Sequence, residues 1–367
     1  MTFWKPDILI LNTVSKIKKY KNYSKNTQIY FLAGEGGEPV DKSDASYLKN
    51  YPEKTKLIDK YLLWGEYDLE ALKKHIPKET EKAIVVGNPR LDLTKFRPDY
   101  NLQKEKTIGF ISRFNMINQF DRRPLVATLG FDGNLERAEI QCKQFSVFWK
   151  IIDHLVQNTN YKISYRAYPL EAPDEIEKIF NKNFGDRVSV NYSLSYAEWV
   201  RNQKLVITPA TTAFFEPYII GVPIINIDYL IGEDIANKSK QLFPFATYIY
   251  DVARNPKNYK ELFELIDLDL KPIKSKIIDD YLNHVHNYND KHSALKSVAN
   301  IVSRDLSFEK TKILFRFPTW MMELYNWLIF KYIFNKNPSL KFFHYNKSYH
   351  KISKYCRNVL AKIESDL

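Results

Sequence analysis

Nine short apolar runs constrain what this chain can fold into more than any other feature. They are DILILNT (7–13), QIYFLAG (28–34), KYLLWG (60–65), KAIVVG (82–87), TIGFISR (107–113), KISYRAY (162–168), RVSVNY (187–192), KLVIT (204–208) and VPIINID (222–228). Most are continuous rather than alternating, the pattern of strands covered on both faces of a parallel sheet. Helix-like stretches at 67–75, 143–158, 173–182 and 210–221 lie between them. This rhythm predicts an α/β protein of the doubly wound kind, and its two series predict two Rossmann-like domains facing a cleft.

The boundary is expected near the helix 143–158, after a polar connection (118–139) of a length that is usually functional inside an α/β body. The prediction is a short N-terminal domain over 1–142, a second domain over 143–304 and a tail over 305–367. The first strand begins six residues from the start with no glycine-rich turn ahead of it, so the first domain reads as reduced or incomplete.

Charge sets the tail apart. Residues 310–362 hold eleven Lys or Arg against one acid, Glu323, a net +10 of the +12 carried by all 367 residues. Thirteen aromatics interleave with these cations, among them Trp320 and Trp327. That pattern predicts a helical tail lying on an anionic membrane surface rather than on nucleic acid, since bulky aliphatic content suits lipid. A helix folding back across both domains reads equally from the same residues. The 44% hydrophobic content excludes a disordered chain or a fibre, and no window of 18 uninterrupted apolar residues is present to span a bilayer. Only Cys142 and Cys356 occur, far apart, which excludes a disulfide framework and fits a cytoplasmic protein without a signal peptide.

Four segments could carry chemistry. In TPATTAFFEPYIIGVPIINID (208–228) a strand ends at Thr208 and a helix starts near Thr211 and Thr212, with Glu216 one turn in. Hydroxyls and free N–H groups there suit a phosphate, and the carboxylate suits a ribose diol. In YRAYPLE (165–171), Arg166 and Tyr168 share one strand face and offer charge and a hydroxyl. The segment after TIGFISRF gathers Ser112, Arg113, Asp121, Arg122, Arg123 and Asp132. The two arginines beside Asp121 would keep it ionised or hold a ligand carboxylate. AGEGGEPVD (33–41) places Glu35 and Glu38 among three of only 11 glycines, after a strand, as candidate acid/base groups. His284, His286 and His292 have no carboxylates at ligand spacing and read as exposed helix and loop.

The first of these segments resembles the nucleotide-binding helix of GT-B glycosyltransferases. GNPRLDL (87–93), TIGFISRFNMIN (107–118), YRAYPLE and TPATTAFFEP (208–217) follow the order seen in bacterial surface carbohydrate biosynthesis proteins, and resemble the retaining β-Kdo transferases of that family. The resemblance implies a GT-B fold and transfer of a sugar, Kdo from CMP-Kdo, onto a surface polysaccharide or lipopolysaccharide acceptor at the inner membrane face. It implies a ribose contact from Glu216, phosphate or base contacts from Arg166, Tyr168, Thr211, Thr212, Ser112 and Arg113, and a nucleophilic Asp, for which Asp121 and Asp132 both qualify. Tyr168 stands where the family has a histidine before Pro169. No cofactor or metal is implied, since no D-x-D triplet comes after a strand. Two other readings stay open: a CDP-glycerol glycerophosphotransferase-like enzyme, and a non-catalytic membrane-surface scaffold on a degenerate GT-B fold.

Overall fold

The computed structural model describes residues 6–12, 14, 17–23, 26–32, 52–95, 107–122, 125, 135–192, 195–242, 246–289 and 291–306. All nine apolar runs contain a strand: β1 (Ile8–Leu11), β2 (Gln28–Leu32), β3 (Lys60–Leu63), β4 (Ala83–Val85), β5 (Thr107–Ile111), β6 (Lys162–Arg166), β7 (Val188–Asn191), β8 (Leu205–Thr208) and β9 (Ile224–Asn226). They form two wholly parallel sheets, one ordered β1-β2-β3-β4 and the other β7-β6-β5-β8-β9. The second order runs third, second, first, fourth, fifth, which is the Rossmann winding.

Apolar continuity in the strands has the cause the sequence implies. In β8, Leu205 and Ile207 face a cluster with Phe148, Ile152 and Phe180, while Val206 between them faces a second cluster with Trp199, Phe214 and Ile278. The first cluster is covered by the helices Leu135–Asn158 and Pro173–Phe184, so both faces of this sheet are buried. The first sheet is built alike: Ile29, Phe31, Tyr61 and Leu63 pack on one face, Tyr30, Leu62 and Val86 on the other.

Two expectations are corrected by these contacts. The run that holds β5 falls inside the first domain predicted from sequence, but β5 pairs with β6 and β8 at the centre of the second sheet. Its apolar run is indistinguishable in pattern from those of the first sheet, so only pairing could assign it. The helix Ala294–Asp305, expected in the second domain, instead packs on the first sheet, where Ile301 joins Tyr30, Leu62 and Val86. The Tyr30 hydroxyl donates to Asp305 Oδ2 at 2.6 Å, and Lys60 bonds the same carboxylate.

The returning chain is fixed at a second point. A Cβ at Gly65, just after β3, would lie 2.2 Å from the His284 carbonyl oxygen, so only glycine lets the helix Lys276–His286 approach this closely. His286, expected at the surface, is buried there between the rings of Trp64, Phe215 and Tyr281. Burial, with Arg90 nearby, pushes its pKa from 6.5 down to about 3, so the ring is neutral. His292 also turns inward, its Nε2 lying 2.7 Å from the Val86 carbonyl oxygen, while His284 stays exposed as expected.

The unfolded chain therefore binds a proton at His286 below pH 6.5 that the folded chain refuses. The part of the stability that His286 contributes is fully present above that pH and is lost as pH falls, by about 2 kcal/mol between pH 7 and pH 5. Buried carboxyls such as Asp68, pushed up to about 6, act in the opposite sense, so the measurement is a comparison. In denaturant titrations the wild type should lose about 2 kcal/mol more than His286→Phe between the two pH values. Equal changes in both chains would place the imidazole in water.

Candidate functional site

Between β5 and β8 the chain winding reverses, and the loops beyond the carboxyl ends of these strands are where a sheet of this order binds ligands. Ser112 and Arg113 follow β5 directly, and Pro209 to Thr212 follow β8. The structure ties the two loops together. Arg113 donates from Nη1 to the Ala210 carbonyl oxygen at 2.9 Å, while Ala210 N–H donates to Asp228 Oδ2 at 3.2 Å. Asp228 is fully buried and also accepts from Gln144 Nε2 (2.9 Å) and the Tyr250 hydroxyl (2.7 Å). The peptide at Ala210 is thus clamped on both sides. Burial, and Arg137 beside it, lower the Arg113 pKa to about 10, which leaves it charged at neutral pH.

Ser112 plays an inward part. Its hydroxyl lies 2.7 Å from Glu171 Oε1 and 2.9 Å from the Arg166 carbonyl oxygen, and it accepts from Tyr168 N–H at 2.9 Å. Glu171 also accepts from Phe114 N–H and the Tyr165 hydroxyl, at 2.7 and 2.9 Å. Burial pushes the Glu171 carboxyl up from its ordinary range. This buried hub locks the turn after β6 to the turn after β5, and it leaves Tyr168 exposed at the rim, within electrostatic range of both Arg90 and Arg113. Arg166 bonds the side-chain oxygen of Asn191 and lies over the Tyr196 ring, 5.9 Å from its centroid.

The helix expected over 210–221 is a single 3-10 turn, Thr212–Phe214, continued by the α-helix Phe215–Ile220. Thr211 caps it, its hydroxyl accepting from Ala213 N–H, and Thr212 comes next at the half-buried edge. Glu216 does not face solvent. Its side chain is 3% exposed, and Oε1 accepts from Arg90 Nε at 2.7 Å. Oε2 is buried without a hydrogen-bond partner. Burial pushes the Glu216 carboxyl up while Arg90 opposes the shift. Arg90 belongs to the segment after β4 of the other sheet, in the turn Pro89–Asp92 whose cap is Asn88. The carboxyl ends of both sheets therefore meet at this pair, and Leu91 beside it is buried in the second sheet's cluster.

Asp121 lies in the turn after the antiparallel bridge between Gln119 and Glu171, half-buried. The neighbouring Arg122, expected to serve Asp121 or a ligand carboxylate, pairs with Asp174 and with Glu175, the latter at 3.1 Å. Its φ of 57° directs the chain into that turn. Asp132, Glu35, Glu38, Arg123 and the tail 310–362 lie outside the described residues. Among the described residues no group of His, Cys, Asp and Glu could hold a metal ion, and no helix is long and apolar enough to cross a membrane. Sequence reasoning passed over Arg90, Glu171 and Asp228. Each stands inside or beside a segment already singled out, but nothing in the pattern told a buried carboxylate from a solvated one.

No protein-family model matches the chain, and no curated protein matches it. Solved structures that it is similar to include the wall teichoic acid polymerase TagF soaked with CDPG (15% identity, TM-score 0.48, 82% of this chain and 73% of that one). Others are S. aureus MnaA with UDP (14%, 0.44, 82% and 76%) and a Methanocaldococcus jannaschii UDP-GlcNAc 2-epimerase with UDP-GlcNAc and UDP (16%, 0.41, 82% and 76%). Likeness at this level carries no statement about activity.

Removing the Glu171 carboxylate strands the buried Tyr165 hydroxyl and the Phe114 N–H, while the Ser112 hydroxyl keeps the Arg166 carbonyl oxygen. Glu171→Ala should cost about 2–4 kcal/mol, read as a fall in the urea midpoint at unchanged slope. A loss below roughly 0.5 kcal/mol, the range of ordinary surface substitutions, would show that the hub is solvated.

Proposed function

We propose that this chain is a glycosyltransferase that uses a nucleotide-activated sugar. The observation that carries the reading is the meeting of both sheets' carboxyl ends around Arg90, Arg113, Arg166, Tyr168 and Glu216, at the reversal point of a Rossmann-wound sheet. Such a place suits a nucleotide: guanidiniums match phosphate oxygens in charge and in fork geometry, and an exposed tyrosine offers a ring face and a hydroxyl.

CMP-Kdo is the donor we favour, on the order of the four sequence motifs. In that reaction a carboxylate from the segment after β5, Asp121 or Asp132, attacks the anomeric carbon and CMP departs with the bonding electrons. An acceptor hydroxyl then displaces the carboxylate, giving its proton to a base, for which Glu35 and Glu38 are the candidates. The acceptor is a surface glycan or glycolipid, and the basic aromatic residues 310–362 would hold the enzyme against the anionic membrane that carries it.

Calorimetry against CMP, CDP, UDP and GDP, followed by incubation with CMP-Kdo or CDP-glycerol and assay of released CMP, tests the reading. Binding of CMP and release from CMP-Kdo are expected; no binding across the panel overturns the nucleotide site. With turnover in hand, Asn at the true nucleophile should cost roughly three or more orders of magnitude in rate with donor affinity kept. Near-normal turnover of both Asp121→Asn and Asp132→Asn would exclude double displacement through this segment.

A further inference from the structure

Arg90 is held in an unusual way for a residue so exposed. Its Nε–H is spent on Glu216, whose side chain is 3% exposed, while its own side chain is 56% exposed. Among the described residues its Nη1 and Nη2 groups make no hydrogen bond. The ion pair with the buried carboxylate fixes one edge of the guanidinium, and the Nη1 and Nη2 donors, on a side chain that is 56% exposed, have no partner among the described residues. The Coulomb field of Glu216 holds Arg90 in its charged form, above its ordinary range. Tyr168 lies within electrostatic range of both Arg90 and Arg113. A fork oriented by a buried carboxylate is preorganised, because the side-chain freedom that a ligand would otherwise have to freeze is already lost.

We infer that Arg90, oriented by Glu216, receives the phosphate of the ligand, so that the anion is bound by a residue of the first sheet while the rest of the nucleotide lies on the second. The inference rests on the nucleotide reading above and gives that site its anion contact. It also gives Glu216 a different part from the ribose contact that the sequence implied. Glu216 is a positioning residue, acting through Arg90. Its second oxygen, Oε2, is buried and without a hydrogen-bond partner among the described residues, whereas a ribose contact needs a carboxylate oxygen open to the ligand.

The roles separate by ligand. Pyrophosphate, cytidine, CMP and CDP are titrated calorimetrically into the full chain, into Arg90→Lys and into Arg90→Gln. Because Arg90→Gln leaves Glu216 buried and unpaired, the double variant Arg90→Gln/Glu216→Gln is included, with thermal melts to establish folding. Loss of charge-assisted bonds to phosphate should weaken CMP, CDP and pyrophosphate roughly ten- to a hundredfold in both glutamine variants and leave cytidine unchanged. Arg90→Lys should recover only part of the affinity, since an ammonium keeps the charge without the fork. The single variant Glu216→Gln, titrated with the same four ligands, should weaken the phosphate-bearing ones and not cytidine. Phosphate affinity unchanged in the folded double variant overturns the inference, and so does a loss of cytidine affinity in Glu216→Gln, which would restore the ribose role. Pyrophosphate binding that depends on Arg90, with no discrimination by nucleoside, upholds the anion site and overturns the nucleotide reading. A wild-type chain that binds neither pyrophosphate nor CMP overturns both.

Discussion

The return of the chain from the second sheet to the first is the constraint on which the rest of the structure depends. Gly65 admits the backbone of His284 and Val285 to van der Waals contact, Asn88 N–H bonds the His286 carbonyl oxygen at 3.0 Å, and Asp92 accepts from Ser293 and from Leu295 N–H. The helix Ala294–Asp305 then closes the open face of the first sheet. These contacts bear on the same segment, Gly87 to Leu93, that carries Arg90. The position of the guanidinium at the seam is therefore set by backbone hydrogen bonds and close packing, and not by the ion pair alone.

Electrostatics at the seam derives from burial. Among the buried carboxylates of the described residues, Glu171, Glu216 and Asp228 belong to the segments at the carboxyl ends of the second sheet, and burial pushes each of them up. Each answers the cost with different partners: hydroxyls and an N–H for Glu171, an amide, an N–H and a phenol for Asp228, a guanidinium for Glu216. The first two are closed networks and hold loops in place. Glu216 is incompletely satisfied, with one oxygen lacking a partner.

Strands such as β3, β5 and β8 were legible from their apolar runs because a parallel strand buried on both faces has few polar positions to confuse the pattern. The edge strands β1, β4 and β7 kept enough of the same run to be found. The helices Glu66–His75 and Pro173–Phe184 were legible for the complementary reason, a single apolar stripe. The site was legible only as neighbourhoods. Arg113, Arg166, Tyr168, Thr211 and Glu216 do gather at the carboxyl ends of β5, β6 and β8. Their individual roles were not readable, because Ser112 and Thr211 spend their hydroxyls on the backbone and on Glu171, and Arg122 finds Asp174, 52 residues away.

By itself, the sequence determined the class of fold, the positions and nature of the strands, and the segments that follow the strands at the carboxyl ends of the second sheet. These depend on local periodicity and on the residue types placed directly after a strand. Tertiary structure decided which sheet β5 joins, where the chain from His286 to Asp305 docks, and which acid faces which base. Those choices depend on pairings between residues 126 and 275 positions apart, such as Arg90 with Glu216 and Tyr30 with Asp305. No local pattern encodes them. They are settled by the burial of two sheets against a shared set of helices, and the charge at the seam takes its arrangement from that packing.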